Sequence, residues 1–360
     1  MKRPERKLVL ENGQEFYGIG FGSNENTVSE IVFNTSVVGY QEIISDPCYC
    51  GQIVVMTYPL IGNYGITDED FESRTPRIAG LVVRECCDTP SNFRYTKTLE
   101  ELLEENAIPC ISGVDTRCLT RVIRDNGSMR CAIVDATMDK NTALEMIRST
   151  EREDNLVKRV SCRKRWISRT PSRLFHVVAV DCGIKFNIIR ELNRRGCDVT
   201  IVPYNATREA ITSFNPDGIL FSNGPGSPYD VPQVGKLLDE LIGTCPIFGI
   251  GLSHELICMR YGAKLERMQC GIHGDHPIRD LETGKINIAV FNQSLAVKSI
   301  EQTSLTLTHE TVLDKLIVGV EQKQDRIFSV QFQPESAPGP QESSYLFDKF
   351  IKIMEEGKNA

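Results

Sequence analysis

Short, continuously apolar runs in the second half of the chain set the strongest limit on its fold: LFHVVAVD, DVTIVPYN, DGILFS and PIFGI. Each is short for a buried helix and too uniformly apolar for a strand with one wet face. Helical stretches lie between them, among them NIIRELNRRG, closed by Gly196, and GLSHELICMRYG. Buried strands alternating with helices predict an α/β domain, with a mostly parallel sheet covered on both faces. Ligands of such sheets bind beyond the carboxyl ends of the strands. Two loops, residues 222–228 and 251–255, fall at ends of this kind. DRIFSVQFQPES then predicts a strand and a turn, and SYLFDKFIKIMEE a closing helix.

The first half reads differently. KLVLENGQEFYG predicts a hairpin about Asn12-Gly13, a pair suited to tight turns. SEIVFNT and QIVVMTYP are further strands. Thr98 followed by Glu101 makes a capping box ahead of LEELLEEN. VDTRCLTRVIRDNG predicts a helix capped by Asp115 and ended by Gly127. The basic stretch at 158–173, with the only tryptophan, Trp166, reads as a linker, with contact to an acidic partner as a secondary role. A chain of 360 residues, 41% hydrophobic, fits two domains. Their expected bounds are 1–155 for a β-rich N-terminal domain, 156–173 for the linker and 174–360 for the α/β domain.

A formal net charge of −7, with both signs spread along the chain, argues against nucleic acid as a partner, because no positive field attracts phosphates. No apolar run reaches the length of a membrane span. The 13 cysteines follow no framework of spacings, which predicts reduced thiols in a cytoplasmic protein. No CxxC-type pair occurs, so no metal site is expected. His273 and His276, in HGDHP, have no third ligand in view and read as a loop.

The turn in FGIGLSHEL, between a strand and a helix, is the layout of a nucleophile elbow. Such a turn serves acyl transfer through an apical nucleophile, a histidine base, an orienting carboxylate and N–H donors for the oxyanion. Here the apex is Gly251. The surrounding segments resemble the small subunit of carbamoyl-phosphate synthase along nearly the whole chain. FNTSVVGYQEIISDP, TYPLIGNYG and GVDTRCLTRVIRDNG carry the resemblance in the first half. VDCGIKFNIIRELNRRGCDVTIVPYN, FSNGPGSP, PIFGIGLSHEL and FSVQFQPESAPGP carry it in the second, which is similar to class I glutamine amidotransferases. The resemblance implies a flavodoxin-like second domain. It also implies a small subunit that hydrolyses glutamine and passes ammonia to a large, ATP-using subunit.

By motif position, the resemblance puts the nucleophile at Gly251, the base at Gln333 and the carboxylate at Glu335. Glycine supplies no thiolate, and the Gln333 amide exchanges no proton near neutral pH. Ser253, Cys258, His254, His309 and His176 offer no obvious replacement. The glutamine contacts fall on Cys48, Gly224, Gly226, Leu252, Glu255, Asn292, Ser294 and Leu295. Of these, Cys48, Glu255, Ser294 and Leu295 depart from the family's usual residues. Glu255 is read as an anion replacing an amide, unfavourable to a substrate carboxylate. The Gly224 and Leu252 N–H groups are the expected oxyanion donors.

The expected function is therefore a small-subunit homologue with a lost glutaminase step. It would support an ammonia-using large subunit that carries the ATP and metal, with no cofactor on this chain. The alternative is a stand-alone regulatory or small-molecule-binding protein that uses the vestigial pocket. Arg117, Arg121 and Arg124 share one helix face. They read equally as a solvated stripe and as a docking surface for the large subunit.

Overall fold

The computed structural model describes residues 3 to 359. The chain forms two compact units: residues up to Glu153 together with Gln269–His273, and Asp154–Met268 together with Gly274 onward.

In the first unit the strands are β1 (Glu5–Leu10), β2 (Glu15–Gly22), β3 (Thr27–Asn34), β4 (Gln52–Met56), β5 (Leu60–Ile61), β6 (Gly80–Val82), β7 (Glu85–Cys86), β8 (Pro109–Ser112) and β9 (Met129–Asp135). The helices are α1 (Tyr40–Ser45), α2 (Leu99–Glu105), α3 (Thr116–Asn126) and α4 (Lys140–Ser149). Seven strands close a barrel in the order β1-β2-β8-β6-β4-β3-β9, while β5 and β7 pair separately. The β1–β2 hairpin turns through Gly13 at φ 85°, a conformation open to glycine. Thr98 and Glu101 form the reciprocal capping box of α2, Asp115 caps α3 by accepting from the Cys118 N–H, and Gly127 ends it. Residues of β4 alternate between two cores, as a period of two requires. Ile53 and Val55 pack with Leu119 and Ile123 of α3, whereas Val54 and Met56 pack with Ile43 of α1 and Leu103 of α2.

The second unit holds α5 (Val157–Val160), β10 (Trp166–Ser168), β11 (Phe175–Asp181), α6 (Phe186–Arg194), β12 (Cys197–Pro203), α7 (Arg208–Thr212), β13 (Gly218–Phe221) and α8 (Pro232–Leu241). It continues with β14 (Ile247–Ile250), α9 (Leu252–Arg260), β15 (Lys264–Asp280), β16 (Ile286–Ser299), β17 (Thr306–Thr311), β18 (Ile317–Gln322), β19 (Ile327–Val330) and α10 (Tyr345–Asn359). Five parallel strands run β12-β11-β13-β14-β19. Numbered along the chain this order is 2-1-3-4-5, the flavodoxin-like arrangement. Antiparallel strands β18, β16, β15 and β17 extend it beyond β19. Both faces of the parallel part are covered. Ile247 packs with Leu238 of α8 and Ile257 of α9. The next residue, Phe248, meets Phe347 and Phe350 of α10 with ring centroids 5.7 Å away.

Two expectations need correction. The stretch 156–173 is not a bare linker. It contains α5 and β10, and β10 pairs antiparallel with β12 at the edge of the sheet. Trp166 sets its ring edge-on to Phe186 at 6.5 Å. A three-residue edge strand takes its order from its neighbour, and its basic surroundings concealed it. HGDHP is likewise not a loop. His273 and His276 lie inside β15, whose alternation is blurred by many half-exposed positions.

All thirteen cysteines are free, and eight are buried, where thiols act as small apolar groups. No helix of the described residues is long and apolar enough to cross a membrane.

Candidate functional site

The site forms at the carboxyl end of the second unit's parallel strands. β14 ends at Ile250, Gly251 makes the turn, and Leu252 opens α9. Gly251 has φ 59° and ψ −115°, a region that a side chain occupies only with strain. Its N–H donates to the Val330 carbonyl at 2.9 Å, and its carbonyl accepts from the His254 N–H at 2.9 Å. A Cβ at this position would lie 3.2 Å from Asn223 Cβ. The turn is therefore an elbow in geometry, without a side chain at its apex.

The neighbouring strands bring the other groups. Gly224 follows β13, and a Cβ there would lie 2.3 Å from the Cys182 carbonyl oxygen, so the loop can close only with glycine. Gly226 has φ 83°. As the first residue of α9, Leu252 keeps an N–H that has no partner within the helix. Its side chain packs into the core.

Gln333 follows β19. Its N–H donates to the Val290 carbonyl at 2.9 Å, and its side-chain Oε1 accepts from Lys185 Nζ at 3.0 Å. Lys185 Nζ also stands 3.2 Å from Glu335 Oε1, and both side chains are completely buried. It donates as well to the Ser336 carbonyl, and Asn187 Nδ2 donates to that of Glu335. At the base position the structure therefore holds an amide bonded to a buried ammonium, and the carboxylate position serves that ammonium.

Glu255, on the first turns of α9, is buried, and its Oε1 accepts from Gln331 Nε2 at 3.1 Å. It has no cationic partner among the described residues. Burial pushes its carboxyl up to about 8, only partly opposed by the Gln331 bond. The shift favours the carboxylic acid over the anion expected from sequence, and the acid both donates and accepts as an amide does. Asn292, Ser294 and Leu295 are half-buried on β16. Cys48 lies in the first unit, buried in a 3-10 turn at Pro47–Tyr49, where its N–H donates to Asp46 Oδ1 at 2.8 Å.

The potential substitutes for the missing groups are occupied. Ser253 Oγ donates to the Ser222 carbonyl at 2.6 Å. The His254 ring lies 2.9 Å from Ser329 Oγ and 3.7 Å from Cys258 Sγ. Burial lowers this imidazole to about 3 and raises the thiol far above its ordinary range. The pair is thus neutral and enclosed, the opposite of an activated thiolate–imidazolium pair. His309 bonds Tyr345 through Nε2 at 2.7 Å, and His176 lies 2.8 Å from Thr200 Oγ1. Sequence reasoning missed Lys185 and Gln331 as part of the site. The available signal was a lysine four residues beyond the end of a buried strand, in VDCGIKF.

The parallel order, the elbow and the glycine loop at 222–228 are those of a class I glutamine amidotransferase. Residues 178–353 match the family model described as "Glutamine amidotransferase class-I", and residues 8–133 match "Carbamoyl-phosphate synthase small chain, CPSase domain". The pyrimidine-specific carbamoyl phosphate synthase small chain of Bacillus subtilis (strain 168) is 46% identical over 352 residues, covering 98% of this chain and 96% of the relative. The small chain of Oceanobacillus iheyensis is also 46% identical, over 357 residues, with 98% and 97% covered. That of Bacillus caldolyticus is 44% identical over 355 residues, with 98% and 97% covered. The chain belongs to the family of carbamoyl-phosphate synthase small chains.

Proposed function

We propose that this small chain has lost its own glutamine-hydrolysing step and supports a large chain that takes free ammonia. The observation that carries the reading is Gly251 at the apex of an otherwise intact elbow. No acyl-enzyme can form on a residue without a nucleophile. Gln333, bonded to Lys185, adds the absence of a base. A displaced nucleophile at Cys258 is disfavoured by its enclosure and neutral state. Gly224, Gly226, Leu252, Glu255, Asn292, Ser294 and Leu295 are the remnant of a glutamine pocket in this reading. ATP and its metal belong to the large chain, and the complex works in the cytoplasm. It joins bicarbonate, ATP and ammonia into carbamoyl phosphate for pyrimidine and arginine synthesis. The pyrimidine branch is favoured by the name of the Bacillus subtilis relative.

The test is carbamoyl-phosphate formation by the cognate large chain, with and without this chain, on glutamine or on ammonium. Formation from ammonium only, altered by adding this chain, is the expected result. Glutamine-driven formation that requires this chain would overturn the proposal.

A further inference from the structure

The first unit carries a pocket of about 440 Å³, open to solvent and lined by Thr57, Pro59, Arg84, Asp115, Thr116 and Arg117. Its place in the barrel is specific. Thr57 and Pro59 follow β4, Arg84 follows β6, and Asp115, Thr116 and Arg117 follow β8. These three strands are adjacent and parallel, so the pocket lies at their common carboxyl end. Carboxyl ends of parallel strands, where connecting loops converge, are where such sheets hold ligands.

The charges there are unbalanced. Arg84 Nη1 makes one long bond, 3.4 Å, to the Gly113 carbonyl. Neither Arg84 nor Arg117 forms an ion pair among the described residues. Asp115, the lining carboxylate, is engaged as the cap of α3 and accepts from the Cys118 N–H at 2.9 Å. Arg124, further along the same helix, is by contrast paired with Asp125 at 2.8 Å. Two exposed guanidinium groups without ion pairs therefore share the pocket with the Asp115 carboxylate and two threonine residues, a net positive lining in a chain whose net charge is −7. Guanidinium forks match the paired oxygens of carboxylate and phosphate groups, and hydroxyls add neutral donors.

We infer that this pocket binds a small anionic metabolite through a phosphate or carboxylate group held between Arg84 and Arg117. None of its lining residues is among the glutamine contacts, so the inference does not depend on whether the elbow is active. Calorimetric titration of the full chain with inorganic phosphate, and separately with succinate, distinguishes the two anion chemistries. Saturable binding of at least one is expected. Arg84→Ala and Arg117→Ala should each weaken it about tenfold or more, the scale of one charge-assisted hydrogen bond. Arg117→Lys should retain part of the affinity, and Arg124→Ala should leave it unchanged. Unfolding midpoints of the unliganded variants check that each is folded. Absence of saturable binding with both probes would overturn the inference. So would binding untouched by the Arg84 and Arg117 variants. Loss of co-purification with the large chain in those variants, with anion binding intact, would assign the guanidinium groups to a protein interface instead.

Discussion

At the scale of single residues, Gly251 and Gln333 make different demands on any attempt to install activity. A side chain at 251 must accept φ 59° and fit 3.2 Å from Asn223 Cβ. The strain is of order 1–3 kcal/mol. Gly251→Cys should therefore lower the unfolding midpoint by a few degrees and yield no glutamine hydrolysis, because no base accompanies the thiol. Gly251→Cys with Gln333→His should give weak hydrolysis at best, since Lys185 already holds the group at 333. Ammonia release from glutamine measures both variants. Full activity in the single variant would show that the base is not at 333.

At the scale of elements, local signals were legible wherever the structure rests on local bonds. The Asn12-Gly13 turn, the Thr98–Glu101 box and the Asp115 cap all sit where their residue types require. The buried strands of the parallel sheet were legible from apolar runs alone. β10 was not, because its order comes from β12 and from the Trp166 ring against Phe186. Trp166→Ala should therefore destabilise the chain by about 1–3 kcal/mol, read by denaturant unfolding. A change indistinguishable from zero would mean that the strand stays docked without its ring. β15 escaped notice for a related reason: only some of its residues are buried, so its period of two is faint. The site divided along the same line. Positions 251 and 333 were legible as departures from a motif, and 335 as a position that keeps the motif's residue. The Lys185 network and the Glu255–Gln331 bond were not, because they join segments distant in the chain.

At the scale of the whole molecule, buried titratable groups bound the pH range of stability. The His254 and His309 imidazoles are lowered by burial to about 3 and about 4. Their contribution is present above the ordinary histidine value, 6.5, and is lost as pH falls toward those values. Glu255 acts in the opposite sense. Its carboxyl rises from 4.5 to about 8, so its contribution is full below pH 4.5 and is lost as pH rises through 8. Between pH 6.5 and 8 the native chain should lose up to ~1.4 kcal/mol of stability per pH unit. Glu255→Gln should remove that slope, and equal slopes in both proteins would refute the buried-acid assignment. The Lys185–Glu335 pair has a different consequence. Residues 251 and 333 can be exchanged for neutral groups without stranding a charge, but Glu335 cannot leave while Lys185 stays, because a lone buried ammonium is costly. Disassembly of such a site thus has an electrostatic order. The acid remains as a hostage of its counter-ion, and its presence alone is no sign that the chemistry beside it still runs.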